Sequence, residues 1–134
     1  MNTDLHLLTL NTQGLREKLK RNRVYEWINH QKADIILLQE THFTKDLEPF
    51  VKTEWKGHII HSFGTSQSRG VSILINYKLN INIDKTVVDK DGRYILLNIK
   101  INDTKYCLVN IYAPNDKHKR NSFFQKFNTD SSRE

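Results

Sequence analysis

The sequence has 134 residues, 37% hydrophobic and 10% aromatic, enough for one packed domain and too few for two ordinary ones. Lys and Arg number 21 against 15 Asp and Glu, a formal charge of +6, which suits a phosphate-bearing partner and equally serves solubility. The single cysteine, Cys107, excludes an internal disulfide and a cysteine-based zinc site and fits a reducing compartment, and no apolar run approaches the ~20 residues of a membrane span.

The first ten residues are acidic at Asp4 and lack the basic start of a signal peptide. Residues 5–10 form a short apolar run halted by Asn11-Thr12-Gln13-Gly14, which predicts a strand and then a loop. Val24, Trp27 and Ile28 recur at helical spacing and predict a helix over about 20–31, with Arg21 and Arg23 on its wet face. Residues 33–38 carry Ile35-Ile36-Leu37-Leu38, the continuous apolarity of a strand buried on both faces. Strand, helix and strand in this span predict a βαβ crossover with parallel strands. Further strands are expected at 58–61, 71–76, 81–88, 93–101 and 105–112. Asp91-Gly92 and Asn102-Asp103 mark the tight reversals between the last three. Ile95, Leu97, Ile99 and Ile101 alternate with Tyr94, Leu96, Asn98 and Lys100, so one face of this sheet should be better buried. A second helix is expected over about 118–127 with Phe123, Phe124 and Phe127. One domain over 1–127 and a frayed polar tail over 128–134 complete the expectation.

Ligands of open α/β sheets bind at the carboxyl ends of strands, which selects Asn11, Glu40 and the segment from Tyr112 to Asn115. Parallel neighbours lie ~4.8 Å apart, so Asn11 and Glu40 can share one ion or phosphate. Glu40 ends the most buried strand, where a carboxylate is costly unless hydrated, paired or metal-bound. A hard cation such as Mg²⁺ suits it; a plain hydrogen-bond acceptor is the other reading. Asn11 serves equally as a loop opener, and Tyr112 as an ordinary strand aromatic. The basic run 16–23 reads as a solvated helix face, and Arg69, in the turn Ser68-Arg69-Gly70, is available to a phosphate.

Taken together, the motifs say more. Leu8-Thr9-Leu10-Asn11-Thr12-Gln13-Gly14-Leu15, Asp34-Ile35-Ile36-Leu37-Leu38-Gln39-Glu40-Thr41-His42, Ser68-Arg69-Gly70-Val71, Asp91-Gly92-Arg93-Tyr94 and Val109-Asn110-Ile111-Tyr112-Ala113-Pro114-Asn115 follow a known order and spacing. The sequence resembles the endonuclease/exonuclease/phosphatase superfamily over about 5–127, and most closely the apurinic-type endonuclease domain of LINE-like (non-LTR) retrotransposons. The resemblance implies an α/β fold, the N-terminal half of a two-sheet, four-layer sandwich of the DNase I-like type. It also implies metal-dependent phosphodiester hydrolysis on DNA. By the same resemblance Glu40 holds Mg²⁺ (or Mn²⁺), and Asn11 helps to order the metal and phosphate. Tyr112 lines the phosphate pocket and Asn115 donates to a phosphate oxygen.

The family pattern continues with a Gly-Asp-Phe-Asn-like and a Ser-Asp-His-like segment, which supply a water-orienting Asp, another Asn and a His. None of the 134 residues matches them, so the expectation is a truncated domain with weak metal binding and little or no activity. A lone half is also expected to expose an apolar sheet face and to self-associate. A non-catalytic basic module binding nucleic acid or protein is the second reading, and a phospholipid or inositol-phosphate substrate the third. No membrane partner is expected, and a nuclear or cytoplasmic location follows only from the implied substrate.

Overall fold

The computed structural model describes residues 4–131. β1 (Leu7–Asn11), α1 (Lys18–His30) and β2 (Ile35–Gln39) form the expected crossover. β1 and β2 pair in parallel, Leu7 opposite Ile35 and Asn11 opposite Gln39. A 3-10 turn at Lys45–Leu47 leads into α2 (Glu48–Glu54), an element with no counterpart among the sequence expectations. β3 (Gly57–Ser62) and β4 (Val71–Asn76) complete a four-stranded sheet of order β1-β2-β4-β3. β5 (Ile81–Val88), β6 (Tyr94–Ile101) and β7 (Thr104–Ile111) form an antiparallel second sheet, and α3 (Lys117–Ser131) follows.

Alternation along the strands builds the layers. Ile36, Leu38 and Leu74 face α1 and α2, packing with Tyr25, Ile28, Val51 and Trp55. Ile35, Leu37, Val71, Ile73 and Ile75 face the other way and meet Ile95, Leu97, Ile99 and Leu108 of the second sheet. This is why Ile35 to Leu38 is apolar at every position: each face of β2 has its own core. Behind the second sheet Tyr94 lies under Phe123 and Phe127 of α3, ring centroids 5.8 and 5.0 Å away. The result is helices, sheet, sheet, helix, the expected four-layer order.

Three expectations need correction. Arg21 is not on a wet face: it is 4% exposed and forms a two-pronged ion pair with Glu54 of α2. The polar stretch 128–134 does not begin a tail at Asn128, because α3 runs through Ser131; residues 132–134 lie outside the described residues. The inner face of the first sheet is not left open either, since the second sheet of the same chain covers it. Exposed apolar side chains such as Leu7 and Val109 instead sit on the edge strands β1 and β7.

The core holds a titratable imidazole. His61 on β3 is 8% exposed, edge-on to Phe43 and stacked on Phe63. Its Nδ1 bonds the Ser72 hydroxyl, and Nε2 has no partner among the described residues. Burial pushes its pKa down from 6.5 to about 4, so the fold holds the neutral ring. The unfolded chain gains a proton below pH ~6.5 that the native state refuses, so stability falls as pH drops from about 6.5 to about 4. The loss should reach about 3 kcal/mol. Urea midpoints measured across this window should fall less steeply for His61→Gln, which keeps a polar side chain and cannot titrate.

Candidate active site

The carboxyl ends of β1, β2 and β7 emerge on one rim, and backbone hydrogen bonds stitch the loops there into a chain. Gly14 N–H donates to the Glu40 carbonyl (2.6 Å) and Leu15 N–H to Thr41 (2.9 Å). Thr41 N–H donates to Gly70 (3.0 Å), His42 N–H to Arg69 (2.9 Å) and Gly70 N–H to Gly92 (2.9 Å). Tyr112 N–H closes the series on Arg93 (2.7 Å). Each loop is thereby positioned by its neighbour, across both sheets.

The stitching demands unusual backbone. Gln13, Glu40, His42 and Arg69 all adopt positive φ, between 51° and 63°. Such conformations cost of order 1 kcal/mol or more for a residue with a Cβ and concentrate at functional sites. Gly70 (φ 88°) is required outright: a Cβ there would lie 2.5 Å from the Thr41 hydroxyl.

Glu40, Asn11 and Tyr112 are brought together. The Tyr112 hydroxyl donates a short hydrogen bond to Glu40 Oε1, joining the end of the second sheet to the end of the first. That bond, with burial adding to it, raises the Tyr112 pKa above its usual value, so the phenol stays protonated and acts as a donor. Arg93 reinforces the placement, donating from Nη1 to the Tyr112 carbonyl (3.1 Å) with its guanidinium 5.7 Å from the Tyr112 ring centre. Asn11 lies on the adjacent strand end, and its Oδ1 accepts the Gln13 amide (3.1 Å), so it does open the loop as a turn. Asn115 lies three residues past Tyr112 on the exposed loop before α3, its carbonyl held by Arg120 (3.1 Å). Among the described residues no side-chain hydrogen bond links it to Glu40 or Tyr112.

Two supports carry no sequence-based assignment. Asn110 on β7 is 2% exposed and donates to the carbonyls of Leu38 (3.0 Å) and Ser72 (2.9 Å), while its Oδ1 accepts from Gln39 (2.8 Å). It pins β7 to β2 and β4, two residues before Tyr112. Its sequence signal is an amide at an inward position between Leu108 and Tyr112, where the alternation otherwise calls for apolar groups. The other support is Arg93, within the Asp91-Gly92-Arg93-Tyr94 segment.

For a divalent cation the rim supplies oxygen donors, the Glu40 carboxylate and the Asn11 carboxamide, which is the donor type Mg²⁺ takes. No group of three or more His, Cys, Asp or Glu able to hold a metal occurs among the described residues, so the protein's share of such a site is small and water or phosphate oxygens would complete it. Nor is any helix among the described residues long and apolar enough to cross a membrane.

Comparison with known proteins places this architecture. The model of the endonuclease/exonuclease/phosphatase family matches residues 8–130. The chain belongs to that family. A Xenopus laevis protein described as the transposon TX1 uncharacterized 149 kDa protein is 31% identical over 121 residues, 90% of this chain and 9% of that one. Among solved structures, the endonuclease domain of TRAS1, a telomere-specific non-LTR retrotransposon, superposes with a TM-score of 0.65 at 17% identity. It covers 97% of this chain and 55% of that one. Caenorhabditis elegans TDP2 gives 0.66 at 22% identity, covering 93% and 40%. D. rerio TDP2, complexed with a single-strand DNA product, gives 0.69 at 12%, covering 98% and 56%. The fold is thus shared, and the chain spans about half or less of the length of each of these relatives.

Proposed function

We propose that these residues carry the Glu40 side of a Mg²⁺-dependent phosphodiesterase site that nicks DNA, of the retrotransposon endonuclease kind. The observation that carries the reading is the Tyr112–Glu40 hydrogen bond, which gathers the strand ends of both sheets around one carboxylate. The transposon relative and the retrotransposon endonuclease domain among the similar structures support it, and the DNA-bound relative supports DNA as the substrate.

In this reading Glu40 and Asn11 would hold Mg²⁺ (or Mn²⁺), which supplies Lewis-acid stabilisation of the charge developing on a phosphate. The chain's own residues do the positioning. Tyr112 fixes the Glu40 carboxylate by donating to one of its oxygens, and the carboxylate so held would be the ion's acidic ligand. Arg93 fixes Tyr112. Asn115 contributes a donor to a phosphate oxygen. The water-orienting Asp and the His that the family resemblance implies have no match among the 134 residues, and a positioned base is commonly worth ~10²–10⁴ in rate. This polypeptide on its own is therefore proposed to be a slow nuclease.

Conversion of supercoiled plasmid to the nicked circle tests the proposal. Slow nicking is expected with Mg²⁺, none with EDTA, and Glu40→Ala should reduce the Mg²⁺-dependent rate at least ~10²-fold, the scale of losing a key electrostatic group. Nicking that survives Glu40→Ala, or salt-sensitive DNA binding with no cleavage under any metal, would count against it; the latter result describes a basic binding module.

A further inference from the structure

Beside the Glu40–Tyr112 pair the rim holds Arg69, which nothing above uses, and Arg93, which spends only part of its guanidinium on Tyr112. Arg69 and Arg93 flank the hydrogen bond from Gly70 N–H to the Gly92 carbonyl (2.9 Å), so the backbone holds these two loops side by side. Arg69 is half-buried at φ 63°, and its guanidinium has no hydrogen-bond or ion-pair partner among the described residues. Arg93 spends one nitrogen on the Tyr112 carbonyl and likewise has no ion pair among the described residues. Burial, and then the nearby Arg69 charge, lower the Arg93 pKa. Holding two guanidinium groups together against their repulsion makes sense where an anion comes between them.

Asp89 and Asp91 attract Arg93, raising its pKa against the effect of burial, but neither forms an ion pair with it among the described residues. Asp89 accepts from the Arg93 backbone amide (3.0 Å) and from Lys126 Nζ (2.9 Å), and Asp91 lies 3.5 Å from the same Lys126. Lys126 thus neutralises one of these two carboxylate charges. Arg93 also borders a cleft of about 410 Å³ between the 89–93 turn and the start of α3, which Asp89, Asp91 and Lys126 line together with His118 and Lys119. Cations therefore continue from Arg69 and Arg93, the latter against Tyr112, to Lys119 at the cleft.

We propose that Arg69 and Arg93 clamp the DNA phosphate next to the one addressed by Glu40 and Tyr112, and that the backbone continues into the cleft at Lys119. The clamp rests on the rim being a DNA phosphodiester site. Guanidinium forks recognise phosphate oxygens through paired N–H donors, and each phosphate neutralised adds close to one unit to the salt dependence of binding.

The test is fluorescence anisotropy of a short fluorescein-labelled DNA duplex with the 134-residue chain, in EDTA, across a salt series. Arg69→Gln should weaken binding about threefold to tenfold and reduce the slope of log K against log salt by about one. Lys119→Gln, on an exposed helical position, should lower the slope independently, and Arg69→Lys should restore it. Lys105→Gln, at the far end of β7, should change it little. Unchanged affinity and slope in both Arg69→Gln and Lys119→Gln, with folding verified by circular dichroism, would overturn the clamp, as would an equal loss in Lys105→Gln. Glu40-dependent nicking with no Arg69 effect would sink the clamp and spare the phosphodiesterase reading. Arg69-dependent binding without nicking would do the reverse.

Discussion

Arg21→Ala is expected to destabilise the fold by about 3–5 kcal/mol, the range for removing one partner of a buried ion pair. Arg21 Nε and Nη2 donate to the two Glu54 oxygens at 2.8 and 3.0 Å, and Nη1 donates to the Leu15 and Arg16 carbonyls. The Glu54 hydrogen bond holds the guanidinium above the usual arginine range, against the effect of burial. Truncation would leave a carboxylate that is only 14% exposed without its counter-charge, and two carbonyls without their donor. Domains of this size typically have 5–15 kcal/mol of stability, so Arg21→Ala alone can consume a large part of it. Urea denaturation checks the value; a change below about 1 kcal/mol would mean that the pair is effectively solvated. The double replacement Arg21→Met with Glu54→Leu should lose less than either Arg21→Ala or Glu54→Ala, because it removes both charges together.

Asn110→Ala should cost about 2–4 kcal/mol, since it deletes three hydrogen bonds in a site with almost no access to water. The effect should not be confined to stability. β7 reaches Glu40 through Tyr112, two residues beyond Asn110, and the amide is what ties β7 across the gap to Leu38 and Ser72. Releasing it should loosen the phenol from the carboxylate. Denaturation measures the first effect, and loss of the Tyr112-to-Glu40 contact is readable by NMR. A variant within 1 kcal/mol of the parent, with the Tyr112 environment unchanged, would show that side-chain packing alone holds the sheets in register.

Much of the frame was legible because its signals are local. The strands 71–76 and 81–88 are apolar or β-branched runs bounded by turn residues, and their ends agree with β4 and β5. The strand-end rule also brought Glu40 and Tyr112 together, although 72 residues separate them in the chain. Tertiary partners escaped. α2 is seven residues long with one buried side chain, Val51, too little periodicity to announce a helix. With α2 unseen, Arg21 had no visible partner and its charge argued for solvent. Asn110 sits inside the Val109–Asn115 motif, yet its role depends on three strands meeting, which no single segment encodes.

The unbroken run of main-chain bonds from Gly14 through Thr41, Gly70 and Gly92 to Tyr112 has a bearing on how variants of this protein should be interpreted. Residues joined in this way share their displacements, so substitutions in separate loops will not sum as independent energies. An exchange at Gly70 would be felt at Glu40 and at Arg93 together. Functional scans of the rim therefore need paired replacements before any single side chain is credited with an effect.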